Sequence, residues 1–126
     1  MGSLPSPFTI EIDGTPVAKV EETTHRPIQA TLGPDAAVFT LKDHRLVCGD
    51  WALARNKSED RSLLPKQVLW FKLGPESDER AQPVSARKEG DEYQIKFADK
   101  SLMAEDGKVL VELMGDGQSK VVLKFQ

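Results

Sequence analysis

The sequence predicts an all-β domain, on three observations. Short apolar or alternating runs recur at close intervals, each run is bounded by Gly, Pro, Asp or Asn, and two stretches repeat one skeleton of apolar residues and aspartates. About twelve candidate strands fall near residues 8–12, 16–20, 27–32, 37–41, 45–48, 51–54, 67–73, 82–87, 92–97, 101–104, 108–113 and 119–125.

Taken in order, residues 1–7 ("MGSLPSP") read as a disordered start, and residues 8–126 as one β-rich domain. "FTLKDHRLVCGDW", residues 39–51, reads as two short strands around a turn. In "ALARNKSEDRSLL", Leu53, Asn56, Asp60 and Leu64 lie near helical spacing, but charge breaks the apolar stripe, so a strand end followed by a loop is expected. "QVLWFKL", residues 67–73, and the alternating Val121, Leu123 and Phe125 read as buried strands because aromatic and branched side chains suit a pleated surface.

The repeat sets Leu41, Asp43, Leu46, Val47, Asp50 and Leu53 against Phe97, Asp99, Leu102, Met103, Asp106 and Val109 at a constant offset of 56, without a gap. "PKQVLWF" is echoed by "SKVVLKF" at an offset of 54, and "FTIEIDGTPV" is a fainter third copy. Three copies of a four-strand unit predict a β-trefoil-like barrel of about twelve short strands, with another small β-barrel or a β-sandwich as the alternative. Asp43 and Asp99 both fall at expected hairpin turns, where an Asp tolerates tight dihedrals.

At 126 residues, with 39% hydrophobic and 29% charged residues, the chain has the size and composition of one globular domain. Its net charge of -3 is spread along the chain, which disfavours a nucleic-acid or anionic-membrane partner. No apolar run approaches the roughly 20 residues that span a bilayer. The lone Cys48 rules out an internal disulfide and suits a reducing compartment, so a cytoplasmic location is expected; secretion with a removed signal peptide is the alternative.

Few residues invite chemistry. His25 and His44 are the only imidazoles, and neither has a second His or Cys at zinc-ligand spacing, so no metal and no cofactor is expected. Cys48, beside Leu46 and Val47, reads as a small core residue rather than a nucleophile. Trp51, Trp70 and Tyr93 are the aromatic candidates for binding. Trp51 with Asp43, His44 and Asp50 would make a stacking platform and polar rim for a glycan.

A second reading places a protein ligand on the loop of Leu64, Pro65, Lys66 and Gln67, which could enter a peptidase cleft with Lys66 in its specificity pocket. "THRPIQ", with Arg26 before Pro27, is a second exposed basic loop. A third reading, an enzyme working on a small molecule in a barrel mouth, requires carboxylates and a histidine to converge on one pocket.

The segments "PFTIEIDG", "RPIQA" and "VFTLKDHRLV" make the chain resemble small fungal all-β proteins of β-trefoil type, which include lectins, protease inhibitors and cell-wall-associated proteins. The resemblance implies non-catalytic recognition by loops on a rigid scaffold. It assigns no sugar-contact residue, because Gln67 precedes Trp70 by three residues where a Gln-x-Trp lectin repeat has two. The expectation is therefore a binding module, carbohydrate first and peptidase inhibition second.

Overall fold

Alternation decides the first strand. In Phe8–Ile12 (β1), Phe8, Ile10 and Ile12 are fully buried while Thr9 and Glu11 are only partly so, the period of two that sets one face of a strand on a core. In chain order there follow Thr15–Pro16 (β2), Ile28–Gln29 (β3), Thr40–Lys42 (β4), Arg45–Cys48 (β5), Trp51–Arg55 (β6) and Lys66–Lys72 (β7). After one short helix, Pro75–Arg80 (α1), come Val84–Glu89 (β8), Glu92–Phe97 (β9), Ser101–Glu105 (β10), Lys108–Glu112 (β11) and Val121–Phe125 (β12). The structure, a computed structural model, describes residues 1–20, 28–114 and 119–126. The protein is all-β, and each expected strand segment overlaps an observed strand.

Every pairing between these strands is antiparallel. One sheet runs β12-β1-β2, a second runs β10-β11-β7-β6-β5-β4 with β3 also on β7, and β8 pairs with β9. Among the described residues these sheets do not close into a single barrel. At residues 15–18 and 28–36 the pairing consists of the two-residue strands β2 and β3 and isolated bridges such as Val17–Leu32 and Ala18–Ala36, rather than long ladders.

The core lies where the two larger sheets meet. Trp70 stacks on Phe39 at 5.6 Å with 11° between ring planes, and Phe8 lies 6.3 Å from Phe39 and 5.6 Å from Phe125. Strand β6 is buried at all five positions because β5 and β7 flank it and side chains cover both of its faces.

Tight turns close the hairpins. Asp13 and Gly14, Asp43 and His44, Ala98 and Asp99, and Asp106 and Gly107 all have positive φ, the paired left-handed residues of a two-residue type I′ loop. The repeat is thus real at the level of hairpins, but its gapless register is corrected. Asp43 is the first central residue of its turn and Asp99 the second, since β4–β5 closes at Lys42 and Arg45 and the later turn at Phe97 and Lys100. Ala98 has φ 49° without a polar side chain to bond its own backbone. Ala98→Gly is expected to stabilise the protein by about 1 kcal/mol in urea denaturation.

Two local expectations change. Helix α1 was not anticipated, although Pro75 at its start, Glu76 and Asp78 in the first turn and Arg80 in the last are ordinary helix signals. The buried Ser77 fastens it, its Oγ accepting from Gly74 N (3.1 Å) and donating to Gly74 O (2.9 Å). The disordered start expected for residues 1–7 is replaced by a hydrogen-bonded segment. His44 N donates to Gly2 O (2.8 Å), Leu4 N to Leu41 O (3.0 Å) and Asp43 N to Ser3 Oγ (3.0 Å), so backbone groups of the β4–β5 hairpin find partners there.

Candidate functional site

The aromatic platform expected for a glycan does not assemble. Trp70 is 1% exposed and stacked in the core. Trp51 is 8% exposed, and the Lys72 ammonium sits 5.2 Å from its ring centroid, over the face a sugar would need. Lys72 also lies 3.7 Å from Asp50. Asp43 and His44 form the turn before β5, whereas Asp50 lies in the turn after it, so the four-residue strand holds the two halves of the supposed rim roughly 15 Å apart. His44 lies over Gly2, where an added Cβ would come 2.5 Å from its ring. Tyr93 is half-buried, edge-on to Phe125 at 5.8 Å.

His44 lines an open groove of about 350 Å³ in which Asp99 is the one carboxylate, beside Pro83, Ser85 and Ala98. Cys48 is half-buried against the core, and burial pushes its thiol up, opposed by the Val38 backbone hydrogen bond and the charge of Lys19. A thiol shifted in that direction suits a packing cysteine rather than a nucleophile. Among the described residues no group of three or more His, Cys, Asp or Glu could hold a metal ion. His25 and Arg26 lie outside the described residues.

The loop between β6 and β7, residues 56–65, is different in kind. At its base Arg55 leaves the end of β6 almost fully buried and makes a two-pronged ion pair with Glu59, Nη2 to Oε1 at 2.7 Å and Nε to Oε2 at 3.2 Å. The remaining prong donates to Phe97 O (3.3 Å) and Ala98 O (3.5 Å), more than forty residues away. One guanidinium therefore joins this loop to the β9–β10 turn. Asn56 Oδ1 accepts from Ser58 N (3.0 Å), Lys57 N donates to Arg80 O (2.8 Å), and Gln82 Nε2 donates to Asn56 O (2.9 Å).

The other end is fastened separately. Asp60 Oδ1 accepts from Ser62 N (3.0 Å), Ser62 Oγ (2.7 Å) and the Lys66 ammonium, which in turn donates to Ser62 Oγ (3.0 Å). The Lys66 ammonium above all, and then the Ser62 donors, hold the Asp60 carboxyl down at about 2. Asp60 is therefore charged at any pH near neutral.

Within the span of the Asp60–Lys66 clamp, Leu63 is 63% and Leu64 70% exposed, followed by exposed Pro65. Lone exposed leucines are ordinary, whereas two adjacent ones on a loop tied at both ends form a small exposed apolar patch. Lys66, expected to enter a partner's pocket, is corrected: it is 6% exposed, the first residue of β7, with its ammonium committed to Asp60. Gln67 is likewise a strand residue, its Nε2 donating to Gln29 Oε1 (2.9 Å). Arg55, Glu59, Asp60, Ser62 and Leu63 were missed by the reading of the sequence. An Arg ending an apolar strand four residues before a Glu, and an Asp two before a Ser, were the available signals.

The all-β scaffold thus carries an exposed apolar segment, Leu63 to Pro65, on a loop fastened at both ends by ion pairs. The chain matches the family described as Peptidase inhibitor I66 over residues 35–123, well over half its length and inclusive of this loop, and it belongs to that family. No curated protein and no solved structure gives a significant match.

Proposed function

We propose that the protein inhibits a peptidase by placing the β6–β7 loop in the enzyme's cleft. The observation that carries this reading is the exposed Leu63–Leu64–Pro65 segment, spanned by the Asp60–Lys66 clamp on a loop whose other end is fastened by Arg55–Glu59. A loop already held in one arrangement loses little freedom on binding, which favours affinity. Membership of an inhibitor family favours a peptidase partner over a glycan, and burial of Trp51 and Trp70 removes the stacking surface a lectin would need. We also take the three hairpins turning at residues 13–14, 43–44 and 98–99 as units of a trefoil-like plan, each with an Asp in the turn.

The test is an inhibition panel of serine, cysteine and aspartic peptidases. The intact protein is expected to inhibit at least one of them. Leu63→Ser with Leu64→Ser together should weaken that inhibition roughly 30-fold or more, with unchanged thermal stability. A panel without inhibition would refute the reading. Full inhibition by the double variant, with loss on Arg26→Ala, would move the site to the other loop.

A further inference from the structure

We infer that the peptidase recognised has an apolar specificity pocket and that Leu64 fills it. This inference rests on the loop reading above and narrows it to a target class and a residue. The loop and its exit offer five side chains long enough for such a pocket: Lys57, Arg61, Leu63, Leu64 and Lys66. Lys57 stands two residues after β6, bracketed by the Arg55–Glu59 pair, with its backbone N–H given to Arg80 O rather than free for a cleft. Lys66 is withdrawn, its ammonium turned inward to Asp60 and Ser62. Arg61 is the middle residue of the turn in which Asp60 Oδ1 accepts the Ser62 N–H, so the chain folds back at the point where a basic side chain would have to be delivered. A peptidase cleft takes up its ligand as an added extended strand, and a residue inside such a turn does not meet that demand.

Leu64 does. It is the most exposed large hydrophobic residue of the described chain, at 70%, and it stands two residues before β7 begins to hold the chain. The ring of Pro65 disfavours helical dihedrals at Leu64 and biases it toward the extended region. Burying a leucine side chain in a matching apolar pocket is worth roughly 10- to 100-fold in affinity. In a pocket with a carboxylate at its base, the same side chain would leave that charge buried without a partner, and selectivity follows from the difference.

The bond after Leu64 joins it to the ring nitrogen of Pro65, a tertiary amide without an N–H to donate in the cleft. The bound loop is accordingly expected to remain uncut.

The experiment compares chymotrypsin, whose pocket is apolar, with trypsin, whose pocket is acidic, using the intact protein and Leu64→Lys. Leu64 is exposed, so the substitution leaves the fold alone. The expected result is at least a 10-fold preference for chymotrypsin in the unaltered protein, reversed in Leu64→Lys, with the loop intact by mass spectrometry after prolonged incubation.

A preference of the unaltered protein for trypsin overturns the inference. So does inhibition that is indifferent to Leu64→Lys, or cleavage at Leu64–Pro65. Because the panel with the doubly substituted loop judges the loop by itself, an inhibitor that acts through the loop on some other class of enzyme would refute the specificity alone. An inhibitor insensitive to both variants would refute the site as well.

Discussion

Trp70→Ala is expected to cost about 3–5 kcal/mol in urea denaturation, the largest effect of any single truncation in this protein. Trp70 is the largest fully buried side chain, it stacks on Phe39, and in the backbone it pairs with Ile28 on one side and Leu53 on the other. Its removal leaves a cavity at the junction of strands that are only two to seven residues long. Against a typical total of roughly 5–15 kcal/mol, that loss leaves a protein close to its folding threshold. Trp70→Phe, which keeps a ring against Phe39, is expected to retain more of the stability than alanine does. Equal losses for the two would show that the stack contributes nothing beyond the site's volume.

The second large effect is expected at Arg55. Arg55→Met would leave the Glu59 carboxylate in its half-buried position without a cation, and the Phe97 and Ala98 carbonyls without their donor. Breaking such a pair from one side costs roughly 3 kcal/mol. Arg55→Lys is expected to recover little, because an ammonium cannot reproduce the fork that meets both Glu59 oxygens and the carbonyls together. The second readout is inhibition. If the guanidinium positions the loop, Arg55→Met should raise the inhibition constant at temperatures where the variant is still folded. A double-mutant cycle with Glu59→Leu separates the two roles, since removing both partners should destabilise less than the sum of the single changes. Loss of stability with an unchanged inhibition constant would mean that the clamp serves the fold only.

Both residues show how the sequence can be read and misread. Lys66, Val68 and Trp70 share one parity in β7, and all three are buried, so the period-2 rule itself placed the lysine inward. The rule was overridden because a lysine after Leu-Pro looks like a loop exit, and because its charge partner, Asp60, lies in a segment with no periodic pattern. Trp51 shares parity with Leu53 and Arg55 and is buried with them. Helix α1 was overlooked for the opposite reason: six residues are too few for a periodic signal, and only its terminal residues mark it.

The strand segments and the turns between them were legible in the sequence, because alternation and the dihedral preferences of Asp and Gly act over a few residues. Which side chains are buried, paired or left exposed around the β6–β7 loop followed only from the packing of distant segments. That packing brought Phe97 and Ala98 to Arg55, withdrew Lys66 and left Leu64 exposed, since those outcomes depend on contacts between segments tens of residues apart that no local pattern encodes.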